Sequence, residues 1–101
     1  KNAIVKVEGG YHGSSESVTV STKPALDVAG PAHKPNPVHA KGTTPGKVFV
    51  VPFNDLDALE DIFIEHSNEI ACFVVEPVLE NLGIVLPDAG YLAGVRKLCD
   101  I

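Results

Sequence analysis

The run Ile70-Ala71-Cys72-Phe73-Val74-Val75 is apolar without a break and rich in β-branched and aromatic residues. Such a run is what a parallel strand covered on both faces requires, and it predicts a central strand. A parallel strand needs a crossover, and the preceding residues supply one. Lys47 to Pro52 reads as a short strand that Pro52 ends, because proline has no N–H for a ladder. Asn54 is then placed to cap a helix, with Asp55 and Asp57 at the positive end of its dipole. Leu56, Leu59, Ile62 and Phe63 form one apolar stripe along it. After Glu76-Pro77 and a loop over residues 79 to 87, Asp88 is placed to cap a last helix that turns Tyr91, Leu92, Val95, Leu98 and Cys99 inward. Arg96 and Lys97 complement the negative end of that helix.

The first half is less regular. Residues 3 to 8 mix β-branched residues with partial alternation and run into Gly9-Gly10, the pattern of a strand ending in a turn. Ser14, Ser15 and Glu16 predict a short helix between Gly13 and Val20. From Lys23 to Gly46 the chain carries Pro24, Pro31, Pro35, Pro37 and Pro45 with Gly30, Gly42 and Gly46, and shows no hydrophobic period. This is a long loop, of the kind that serves as an active-site lid or a disordered connection. The order of strands and helices predicts an α/β chain with mostly parallel strands, flanking helices and right-handed crossovers.

Composition narrows the function. At 45% hydrophobic residues the 101-residue chain has material for a core, although a chain this short buries a modest fraction of its surface. A formal charge of −5, with eight scattered Lys and Arg, provides no field for phosphate backbones, so nucleic acid is not an expected partner. No apolar stretch approaches the roughly 20 residues that span a bilayer, and the start has no basic region followed by an apolar one. A cytoplasmic location is the expectation. Cys72 and Cys99 sit in apolar surroundings far apart in sequence, and read as buried small hydrophobes rather than zinc ligands or a disulfide. The chain contains no methionine, which implies that Lys1 is not a translation start and that the chain belongs to something longer.

In open α/β sheets ligands bind beyond the carboxyl ends of the strands. The residues to examine are therefore Tyr11 and His12, Phe53 and Asn54, and Glu76 to Asn81. Tyr11-His12-Gly13 offers a flat ring and an imidazole with room for close backbone approach. On bare residues the triplet also reads as a turn tyrosine beside a surface histidine. Glu76 and Asn81 place a carboxylate and an amide on one short loop, able to fix a ligand or each other.

Taken together, these segments form a pattern. Val7-Glu8-Gly9-Gly10-Tyr11-His12-Gly13-Ser14, Val51-Pro52-Phe53-Asn54-Asp55, and Glu76-Pro77-Val78 with Asn81, Gly83, Pro87, Gly90, Tyr91, Leu92 and Arg96-Lys97-Leu98 occur in the order and spacing of class III aminotransferases. The chain resembles that family, especially its glutamate-1-semialdehyde aminomutase branch, over nearly its whole length outside the proline-rich loop. The resemblance implies part of the large domain of a fold-type I enzyme dependent on pyridoxal 5'-phosphate. It implies that Tyr11 stacks on the pyridine ring with His12 beside it. Asn81 would lie near the phenolic oxygen of that ring, and Glu76 would be a supporting carboxylate. Residues 23 to 46 fall where aminomutases carry a mobile segment over the site, where His33 and His39 would face substrate or, more simply, solvent.

Three family features have no counterpart here: the phosphate-binding turn, the aspartate that pairs with the ring nitrogen, and the lysine that anchors the cofactor. None of the seven lysines stands in the context of that anchor. The expectation is that this chain alone is inactive, while its parent moves an amino group on an amino acid or amino-aldehyde and is a homo-oligomer. The alternative is a free-standing, non-catalytic α/β module for binding or assembly, with its strand edges covered by self-association. A metal held by His12, His33 and His39 matches no defensible ligand spacing.

Overall fold

A computed structural model describes residues 1–15, 18–39, 46–81 and 83–101. Three strands, β1 (Ala3–Val7), β2 (Val48–Val51) and β3 (Ile70–Val74), form one parallel sheet in the order β2-β1-β3. Three helices accompany them: α1 (Leu26–Ala29), α2 (Leu56–Glu65) and α3 (Tyr91–Asp100). The α/β class and the parallel sheet follow the sequence pattern. The centre of the sheet does not: β1 occupies it, and the apolar run of β3 lies at an edge. Ala71 and Cys72 on β3 are exposed, since among the described residues no further strand pairs with its outer side.

The period of two along the strands divides the core into two faces. Val5 and Val7 of β1 and Val51 of β2 pack with Leu59 of α2 and with Tyr91 and Val95 of α3. Burial of Leu59 alone contributes about 2 kcal/mol. The helices approach closely at Gly94, where a Cβ would stand 2.5 Å from Leu56 Cδ1. On the other face Val48 and Val50 pack with Val20, which belongs to the segment that follows β1. Lys6 shares that second face, and it is wholly buried.

Several local expectations change. Asn54 does not cap α2. It adopts a left-handed backbone with φ 61°, and Asp55 caps the helix by accepting from Ala58 N at 2.9 Å. Asn54 instead donates from Nδ2 to Leu86 O at 3.1 Å and accepts from Asp88 N at 2.7 Å, tying the entry of α2 to the entry of α3. Asp88 gives α3 no side-chain cap; Gly90, with φ 83°, precedes the helix, and Tyr91 N donates to Asp88 O. Tyr91 and Val95 are buried and Leu98 packs against the core, but Leu92 and Cys99 are exposed. Both cysteines are free and exposed, because each lines an open groove between β3 and the helices rather than the core. No helix forms among the described residues between Gly13 and Val20; Val18 N and Thr19 N both donate to Ser15 O in a turn, and Glu16 lies outside the described residues. Within the proline-rich segment, of which 40–45 lie outside the described residues, α1 is a single turn that Gly30, at φ 79°, terminates. Among the described residues no helix is long and apolar enough to cross a membrane.

Candidate functional site

Beyond the carboxyl ends of β1 and β3, two loops meet: Glu8 to His12 and Glu76 to Asn81. Side chains on one hold the main chain of the other. Glu76 Oε1 accepts from Tyr11 N at 3.1 Å, and its Oε2 accepts from Glu80 N at 3.0 Å. Asn81 Nδ2 donates to Gly9 O at 3.2 Å and to Thr22 O at 2.8 Å, so both amide hydrogens are engaged and only Oδ1 remains for another group. Gly9 has φ 82°, a conformation glycine reaches without a Cβ penalty, and its N–H donates to Ser21 O at 2.7 Å. Tyr11, His12, Glu76 and Asn81 thus belong to one constellation. Phe53 and Asn54 do not join it, because Phe53 packs edge-on against Tyr91 and Asn54 is committed to the helix entries.

Tyr11 is 54% exposed, an aromatic residue standing largely open beside the loop junction. His12 is half-buried, and its Nε2 has no hydrogen-bond partner. Burial first and the positive Lys6 second hold His12 below its ordinary pKa, against the opposing pull of Glu76, so the imidazole is neutral at neutral pH. A Cβ at Gly10 would stand 3.1 Å from that Nε2, so the missing side chain leaves the ring its place. Burial raises the carboxyl pKa of Glu8, whose Oε2 also has no partner.

Sequence reasoning missed the group beneath this constellation. The Lys6 ammonium donates to Gly10 O at 2.9 Å, to Val18 O at 3.2 Å and to Val20 O. Three hydrogens meet three carbonyls, which is how a buried cation is accommodated without a counter-ion in contact. Burial lowers its pKa to about 8, with Glu76 acting in the opposite sense. The available signal was position: a lysine inside a strand of a parallel sheet, whose faces are covered, has little solvent to reach.

His33 and His39 are both exposed. Among the described residues no three His, Cys, Asp or Glu side chains group as metal ligands would.

The family described as aminotransferase class-III matches residues 1–101. The chain is 43% identical over 98 residues to the glutamate-1-semialdehyde 2,1-aminomutase of Acidobacterium capsulatum, covering 94% of this chain and 21% of that protein. It therefore spans about a fifth of the length of that curated relative. Among solved structures, an omega-transaminase from Sphaerobacter thermophilus superposes with a TM-score of 0.82 at 30% identity, over 99% of this chain and 24% of that one. A variant glutamate-1-semialdehyde-aminomutase from Pseudomonas aeruginosa PAO1 in complex with PMP superposes with a TM-score of 0.76 at 28% identity, over 99% of this chain and 21% of that one.

Proposed function

The chain belongs to the class-III aminotransferase family, and on that premise we propose that it forms one wall of the pyridoxal 5'-phosphate site of an aminotransferase or 2,1-aminomutase of the glutamate-1-semialdehyde type. The observation that carries this reading is the exposed Tyr11 ring, set beside His12 at the carboxyl end of the central strand and anchored through its own N–H by Glu76. An uncovered aromatic face next to a neutral imidazole with an unpartnered nitrogen fits a flat heteroaromatic ligand better than it fits an ion.

Bound there, pyridoxal phosphate supplies the electron sink that lets an amino group leave one carbon and join another. This chain's residues bind and orient. Tyr11 offers the stacking face, and His12 closes the edge beside it without adding charge. Asn81, with its amide hydrogens spent on Gly9 and Thr22, would have only Oδ1, an acceptor, to offer the ligand. Glu76 acts from behind, holding the peptide group that precedes Tyr11. Lys6 does not serve as the cofactor-anchoring lysine, because its three hydrogens are directed at backbone carbonyls. That lysine, the phosphate-binding turn and the ring-nitrogen carboxylate belong to the rest of the parent, and the chain by itself is inactive. The parent is a cytoplasmic homodimer acting on an amino acid or amino-aldehyde.

The test is the dissociation constant of pyridoxal phosphate from the full-length protein, followed by absorbance, with and without Tyr11→Ala. Loss of one aromatic stacking face is expected to raise it about five- to tenfold. An unchanged constant would sink the assignment of this wall to the cofactor.

A further inference from the structure

The peptide group joining Gly10 to Tyr11 is held at both of its polar ends by side chains. Its carbonyl accepts from Lys6 Nζ at 2.9 Å, and its N–H donates to Glu76 Oε1 at 3.1 Å. A peptide unit is planar, so fixing its oxygen and its hydrogen fixes the plane, and with it the direction in which the next residue leaves. The next residue is Tyr11. The same ammonium also takes the carbonyls of Val18 and Val20, so it ties the strand, the turn carrying Tyr11 and the returning segment to one point.

We propose that Lys6 is a positioning residue for the proposed cofactor site: its ammonium, opposite the Glu76 carboxylate, orients the Gly10–Tyr11 peptide and so aims the Tyr11 ring. The inference rests on the cofactor reading above and extends it to a residue that touches no ligand. Lys6 is wholly buried in the central strand, out of reach of solvent. Its charge is also felt at the site, since Lys6 follows burial in holding His12 neutral. The charged and titratable groups acting on this point are Glu76 from the loop after β3 and His12 from the turn after β1. From the segment after that turn come the carbonyls of Val18 and Val20. Methionine has the length and apolar character of the lysine stem and none of its donors. Lys6→Met therefore isolates the ammonium.

The experiment is a double-mutant cycle in the full-length protein, read as the dissociation constant of pyridoxal phosphate and, on the apoprotein, as amide hydrogen exchange. In the presence of Tyr11, Lys6→Met is expected to weaken binding roughly tenfold; in a Tyr11→Ala background it is expected to change binding less than about twofold, because the two act through one contact. Exchange at the amides of residues 18–22 is expected to accelerate at least about tenfold while the amides of α3 hold their rates. Equal effects of Lys6→Met in the two backgrounds, or unchanged exchange at 18–22, overturn the inference. A Tyr11→Ala variant that binds as tightly as the parent overturns the cofactor reading instead, and this inference with it. Should Lys6→Met not accumulate in folded form, Lys6→Leu, which likewise has no donor, takes its place in the cycle, with the same outcomes supporting or overturning the inference.

Discussion

The two ends of the sheet are tied by polar contacts of opposite character. At the carboxyl end, Lys6, Glu76 and Asn81 each reach across to main-chain groups of another segment, and Lys6 does so from the interior. At the amino end, Lys47 pairs with Glu69, which also takes His66 Nδ1 at 2.7 Å, and the His66 ring stacks on Phe49. That network joins side chain to side chain across the starts of β2 and β3, in contact with water. The difference teaches where geometry is set. Water replaces an exposed ion pair at little cost, and salt screens it. It does not reach a buried ammonium, so the enclosed carbonyls of Gly10 and Val20 stay unpaired when they lose it.

The largest expected effect therefore falls on Lys6. Lys6→Met leaves three carbonyls of Gly10, Val18 and Val20 without their donor and is expected to lower stability by about 3 kcal/mol, measured by urea denaturation of the full-length protein. A loss well under about 1 kcal/mol would erase the contrast between the two ends. The contribution also depends on pH. The folded chain releases the Lys6 proton near pH 8, whereas the unfolded chain keeps it to the ordinary value of 10.5. Between those values the unfolded state binds more protons, so raising the pH favours folding through this group. The advantage of the parent over Lys6→Met is thus expected to grow above pH 8, by no more than about 1.4 kcal/mol per pH unit. An advantage that shrinks over that window would show that the carbonyls, not burial, dominate the ammonium.

Much of this arrangement was legible in the residues, and the illegible part has one cause. The strands stand out because β-branched runs are bounded by Gly9-Gly10, Pro52 and Glu76-Pro77, and the stripe of α2 repeats at helical spacing. Tyr11, His12, Glu76 and Asn81 were singled out from their places just after strands and from the motifs they complete, and the structure brings their two loops together. What escaped depends on who the neighbours are. Asn54 has the chemistry of a helix cap, but Leu86 and Asp88 claim it and Asp55 caps instead. The apolar run of β3 suits a centre, yet β1 pairs with both other strands and takes that place. Lys6 bonds only backbone carbonyls, and a carbonyl is the same in every residue, so its role leaves no mark in side-chain chemistry.

Asn81→Ala is the next smaller break in the carboxyl end. It removes the donors to Gly9 O and Thr22 O, which are partly reachable by water, and is expected to cost about 1 to 2 kcal/mol in the same denaturation experiment. A cost equal to that of Lys6→Met would mean that burial of the donor does not matter and that any two carbonyl contacts serve alike.

The smallest effect is expected at the amino end, and it sharpens the comparison by its dependence on salt. Lys47→Ala deletes the pairing with Glu69, whose carboxyl is held below its ordinary pKa first by Lys47 and then by His66. Both partners stand in water, with side chains 48% and 36% exposed. The charges interact at low ionic strength, but at about 0.5 M salt the screening length falls to roughly 4 Å, and an exposed pair keeps little of its attraction there. The urea midpoint of Lys47→Ala is therefore expected to fall slightly below that of the parent at low salt and to coincide with it at high salt, while that of Lys6→Met stays apart at both. If salt brought Lys6→Met to the parent's midpoint as well, the ammonium would be open to ions, and the interior anchor would be a surface contact after all.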